Sequence, residues 1–191
     1  MITSPPVTEL YAVCTDAFTS RVRLVGDDWS ASTLLPGWDV RSLVGHVVAE
    51  ERWTPPLMAG ATIEEIGNRF DGDLLGGDPV AAYVDAAAAA LAAVVAPGAM
   101  DRTVHLSFGD VPGAEYAMQL AADHLVHAWD LARALGADAA LDPVAVRAVL
   151  AWFGCGAEEA YRAAGVIGPR PSVPAGADVQ AELLARFGRA A

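Results

Sequence analysis

PGAEYAMQLAADHLVHAWDLARAL, residues 112–135, is the stretch from which the fold of this 191-residue chain can be read. It is rich in alanine and leucine, the residues a helix interior accepts most readily, and Gly136 follows it as a C-terminal cap. At about 100° per residue, Tyr116, Asp123, His127, Leu131 and Ala134 fall within about 60° of Leu120. The spacing predicts one long helix whose apolar stripe faces a core. A single helix cannot bury that stripe alone, so the remaining chain must supply partners of comparable length.

It does. Ser4-Pro5 pairs an N-cap with a proline and predicts a helix to about Val25. Asp39 caps a second, in which Val40, Leu43, Val44, Val47 and Val48 share a face, and Pro55-Pro56 predicts its end near Thr54. Residues 58–77 read as a long loop carrying a short helix around Ile63–Ile66. Asp78-Pro79 opens a further helix, closed by Pro97-Gly98. Arg102 to Asp110 reads as an extended connection. After the long helix, Asp142-Pro143 predicts another through about Ala164, then a proline-rich linker at 169–176, then a short helix over Ala177–Phe187. No strand–helix alternation and no internal repeat is present. The expected architecture is all-α, a four-helix bundle over residues 1–165, with a linker and short C-terminal helix packed on it over 166–191.

Composition narrows the function. Twelve cations, all arginine, against 24 carboxylates give a net charge of −12, which disfavours nucleic acid and anionic membranes as partners. The longest apolar run, Ala86–Ala96, falls well short of the ~20 residues a membrane span needs. The N-terminal stretch has no cationic start followed by an apolar segment, so the expected location is cytoplasmic, with Cys14 and Cys155 as reduced thiols. No Gly-x-Ser-x-Gly is present, neither cysteine has a basic neighbour, and Gly76-Gly-Asp-Pro79 lacks the lysine of a phosphate loop. Asp71–Asp78 does not follow the calcium-loop pattern.

The candidate chemistry lies on the long helix. Asp123 and His127, at i and i+4, bring a carboxylate and an imidazole to one spot within the core-facing stripe, their Cβ atoms about 6 Å apart. Burying either alone costs several kcal/mol, so they are partners of each other or of a neighbouring helix, or they chelate a divalent metal. His124 with His127 is an alternative i, i+3 pair. A third ligand must come from another helix, and His46, mid-helix between Leu43 and Glu50, is the candidate. His105 reads as a loop or surface residue.

Two blocks carry a family resemblance. Leu35-Pro-Gly-Trp-Asp-Val-Arg-Ser-Leu-Val-Gly-His46 resembles the second-helix opening of the DinB/YfiT-like superfamily, and is most similar to actinobacterial members near the mycothiol-dependent maleylpyruvate isomerases. Asp123-His-Leu-Val-His127-Ala-Trp-Asp-Leu-Ala-Arg133 resembles their second block, and Ala177–Arg189 their closing helix. The resemblance implies a DinB-like four-helix bundle holding one divalent ion through His46, Asp123 and His127. His124 then occupies a position that is usually apolar, beside the site, and Asp130 and Trp129 belong to the outer shell. Glu50, Arg52 and Trp53 follow His46 toward the site mouth. Two imidazoles and a carboxylate leave coordination positions open, as in catalytic sites. Zinc is the first choice, and nickel, iron or manganese accept the same set. The implied partners are a small-molecule thiol, mycothiol, and an electrophilic substrate, with a homodimer as a further candidate. The family's isomerases carry an additional C-terminal domain, whereas here only the linker and a short helix follow Gly165. The resemblance therefore implies a thiol S-transferase or isomerase-like enzyme rather than the maleylpyruvate reaction itself. The alternatives are a metal sensor or carrier without turnover, and a helical interaction module in which Asp123 and His127 form a buried ion pair.

Overall fold

The computed structural model describes residues 5–154 and 157–190, so the Ser4 cap and Cys155 lie outside the described residues. Helices dominate, and the only sheet among the described residues is a two-stranded hairpin. Residues 6–139 form one compact unit, and residues from Ala140 onward group into a second.

The first unit is built on four long helices. Helix α1 covers Val7–Val22, α2 covers Val40–Met58, α4 covers Pro79–Val94 and α5 covers Gly113–Ala134, with the single-turn α3 at Ile63–Ile66 between α2 and α4. α2 and α4 start on the expected side chains, whereas α1 follows Pro6 and α5 follows Pro112 with no side-chain cap. Asp39 Oδ1 accepts the Ser42 amide at 2.8 Å, and Asp78 Oδ1 accepts the Ala81 amide at 3.0 Å. α1 lies chiefly against α5, and α2 against α4. Between them are buried Tyr11, Cys14 and Phe18 of α1, the valines of α2, Tyr83 and Ala90 of α4, and Leu120, Leu125 and Leu131 of α5.

Two local expectations are corrected here. α2 does not stop before Pro55-Pro56 but runs one turn further, to Met58. An interior proline costs roughly 3 kcal/mol. The extra turn buries Leu57 and Met58 almost completely, and each contributes about 1.5–3 kcal/mol. The prolines also lie close to the helix end, where few donors remain to be lost, and Thr54 Oγ1 adds a 2.8 Å bond to the Glu50 carbonyl. Burial outweighs the local rule. The second correction concerns the extended connection, which doubles back as β1 (Thr103–Leu106) and β2 (Gly109–Pro112), antiparallel with His105 opposite Asp110. β2 leads directly into α5, where the Gly113 amide donates to the Arg102 carbonyl at 2.8 Å. A side chain at Gly113 would overlap the Ala99 carbonyl oxygen, so only glycine allows this approach.

In the second unit, α6 covers Pro143–Phe153, α7 covers Ala157–Ala163 and α8 covers Val179–Arg186. The single helix expected through Ala164 is thus divided into α6, which ends at Phe153 with Gly154 as its C-terminal cap, and α7. Phe153 stacks on Phe187 at 4.3 Å, and Glu182 accepts from both Arg170 (2.7 Å) and Arg186 (2.9 Å). No helix among the described residues is long and apolar enough to cross a membrane.

Candidate metal centre

α2 and α5 present His46, Asp123 and His127 to one another. Asp123 lies between the two rings, with Oδ2 3.5 Å from His46 Nε2 and Oδ1 3.3 Å from His127 Nε2. The ring centroids are 5.2 Å apart, and one donor atom from each of the three residues lies within 4.8 Å of the others. His127 is nearly buried, while the side chains of His46 and Asp123 keep about a third of their surface exposed (31% and 32%), so the cluster is open on one side. Asp123 is therefore less enclosed than its place on the core-facing stripe suggests.

Three features bear on whether these residues fit a cation. Asp123 Oδ2 is shielded from solvent yet accepts no hydrogen bond, an orphaned acceptor on the His46 side of a carboxylate that stands between two imidazoles. His127 Nδ1 bonds Asp130 Oδ2 at 2.9 Å, and Asp130 is fully buried. A proton on Nδ1 leaves Nε2 turned to the cluster, the carboxylate–histidine arrangement that orients metal-ligating rings. Finally, the donor set of two nitrogens and one oxygen suits zinc and its neighbours. The residues fit a divalent ion.

Electrostatics agree. Burial alone would raise the Asp123 carboxyl, but the adjacent His127 and His46 hold it well below the usual carboxylate range. Burial would likewise lower His127, yet Asp123 and Asp130 raise it to about 9.

The other candidate residues scatter. Glu50 is half-buried one turn beyond His46, its carboxyl pushed up by burial and then by the Asp123 charge. Trp53 turns instead to Phe70, edge to face at 5.8 Å, and Arg52 makes no hydrogen bond or ion pair among the described residues. His105 bonds Asp110 within the hairpin at 2.7 Å. His124 faces away from the cluster. Its Nε2 lies 2.6 Å from Glu51 Oε1, its Nδ1 lies 2.6 Å from the Leu120 carbonyl, and Tyr11 Oη donates to Glu51 Oε2 at 2.6 Å.

Sequence reasoning passed over Trp38, Glu51 and Tyr11. Trp38 stands 5.2 Å from the His46 ring and stacks on His127 at 6.2 Å, walling one side of the cluster. It also lines a cleft of about 400 Å³ formed by the loop Ser32–Asp39 and Ser42. The signals were present: Trp38 belongs to the quoted block ending at His46, and Glu51 continues the α2 stripe Val40, Val44, Val47.

Comparison with known proteins converges on the same elements. The family model of the mycothiol maleylpyruvate isomerase N-terminal domain matches residues 11–132, which include all three clustered residues. Two proteins of Mycobacterium tuberculosis, from strains CDC 1551 and H37Rv and each named only as uncharacterized, are 37% identical over 133 residues. That match covers 67% of this chain and 66% of each relative, so the chain spans just under two thirds of their length. Two crystal structures of mycothiol-dependent maleylpyruvate isomerase, one of them a mutant, superpose with TM-scores of 0.61 (the mutant) and 0.56. Their identities are 19% and 20%, with 77% of this chain and 68% of the isomerase covered, and they share the fold. On the extent of the family match, this chain belongs to the mycothiol maleylpyruvate isomerase N-terminal domain family.

Proposed function

We propose that the chain is a metal-dependent enzyme of the thiol S-transferase or isomerase type. In this proposal His46, Asp123 and His127 hold one divalent ion, with zinc as first choice and mycothiol as the thiol. The observation that carries it is the Asp123 carboxylate between two imidazole nitrogens, its Oδ2 orphaned on the His46 side and the His127 ring held by the buried Asp130. A divalent ion in such a site lowers the pKa of a bound thiol or water and so supplies a nucleophile at neutral pH.

The protein's own groups then have distinct tasks. Asp130 keeps the proton of His127 on Nδ1 and frees Nε2. Glu50, whose carboxyl is pushed up by burial and by Asp123, is suited to take up the proton that a thiol loses. Trp38 limits water on one side of the cluster and offers an apolar face toward the neighbouring cleft. The exposed third of His46 and Asp123 is the side from which small molecules arrive.

The test is turnover. The zinc-loaded chain is incubated with mycothiol and a panel of small electrophiles, maleylpyruvate included. Thiol adducts or isomerised product are expected, and both should disappear in His127→Ala. Stoichiometric metal with no turnover would point to a sensor or carrier.

A further inference from the structure

A second polar cluster crosses the bundle beside the first, and the chemistry above does not use it. Glu51 of α2 is fully buried and accepts two short hydrogen bonds, from Tyr11 of α1 and from His124 of α5, both at 2.6 Å. The other ring nitrogen of His124 donates to the Leu120 carbonyl, also at 2.6 Å. Both nitrogens therefore face acceptors, and His124 and Glu51 meet as an imidazolium–carboxylate pair in the apolar core. The rings of Tyr11 and Phe18 stand edge-on to His124 at 5.6 and 6.3 Å and exclude water.

Such a pair is a poor source of stability. Desolvating two charges offsets most of their attraction, and well-packed apolar residues of similar volume are commonly as stable or more so. What directional bonds provide and apolar contacts do not is register. A slide of one residue along a helix is about 1.5 Å with a rotation of about 100°, enough to break bonds of this length. The cluster joins the same two helices that carry the candidate metal ligands. Glu51 is five residues from His46 on α2, and His124 adjoins Asp123 on α5.

We infer that Tyr11, Glu51 and His124 are positioning residues: their buried hydrogen bonds lock the register of α5 against α2 and α1, and so hold Asp123 and His127 opposite His46. The inference rests on the metal-centre reading for its consequence, but its geometry can be tested separately.

The experiment compares the full-length wild-type chain with the triple variant Tyr11→Phe, Glu51→Leu, His124→Leu, which replaces the network by apolar packing, and with the single variant Glu51→Gln. Cobalt(II) is the probe, read by its visible absorption. The metal-free proteins are read by melting temperature and by the nuclear Overhauser contact between the His46 and His127 ring protons. The triple variant is expected to melt at or above the wild-type temperature, to bind cobalt about ten- to a hundredfold more weakly with altered absorption bands, and to lose the ring–ring contact. Wild-type affinity, bands and ring–ring contact in the folded variant would overturn the inference. Should the triple variant not fold, Glu51→Gln carries the same comparison with the same two outcomes. A wild-type chain that takes up no cobalt would refute the metal reading, and the ring–ring contact in the metal-free proteins would still decide the positioning role.

Discussion

At the scale of single residues, the account turns on what holds His127. Its Nδ1 is committed to Asp130 and its Nε2 is directed at Asp123. Replacing Asp130 by Asn keeps the shape but weakens the orienting acceptor, and metal affinity should drop about ten- to a hundredfold. Competition with a chromophoric chelator measures this, and unchanged affinity would show that the ring needs no such support. A pH dependence follows as well. In the metal-free protein His127 is raised to about 9 by its two carboxylate neighbours. Its charged form therefore contributes stability that is fully present below about pH 6.5, the unfolded value, and is lost as pH rises toward 9. The buried His124, raised chiefly by Glu51 against the effect of burial, acts in the same direction. The melting temperature of the metal-free chain should therefore fall between pH 6.5 and 9. Saturating zinc should flatten or reverse that fall, because the metal takes the deprotonated His127. A metal-free melting temperature that is level across this window would contradict the assignment.

At the scale of elements, the site depends on where α5 begins, since its start sets the register of Asp123 and His127. The β1–β2 hairpin delivers the chain to Gly113, packed against the Ala99 carbonyl. Gly113→Ala forces that contact apart, and a loss of about 1–3 kcal/mol is expected, or several degrees in melting temperature. A neutral result in a thermal scan would remove the hairpin's anchoring role. This junction was not legible in the sequence. Ser107-Phe108-Gly109 lacks the Asn-Gly or Asp-Gly signal of a tight hairpin, so only extension could be read there. Where structure follows from neighbours a turn apart, the reading succeeded: the Asp39 and Asp78 caps, the α5 stripe and the end at Gly136 are all local. Pro55-Pro56 misled for the opposite reason, because the burial of Leu57 and Met58 is decided by tertiary contacts that a local rule does not see. The same limit hid the Glu51–His124 pair. Periodicity shows that Glu51 lies on the core face of α2, but not which face of α5 it meets.

At the scale of the whole molecule, the candidate cluster draws on two helices far apart in sequence, and only the bundle brings His46 to Asp123. The pairing was implied by the two motif blocks and not by spacing, which by itself favoured a buried ion pair over a metal. Each block contributes one helix, and the family match from residue 11 to 132 spans both. The acidic, arginine-only composition also sharpens the reading of the buried carboxylates. Most of the 24 are solvated surface, whereas Glu51 and Asp130 are wholly enclosed, and each has an imidazole as partner. The measurement that bears most directly on the central claim is the metal content of the purified chain, by elemental analysis after loading with zinc and exhaustive dialysis. The account predicts about one zinc per wild-type chain, and far less in a folded His46→Ala variant, which lacks one of three ligands. Wild-type protein that retains no stoichiometric metal, or a His46→Ala variant that retains as much as the wild type, would contradict it.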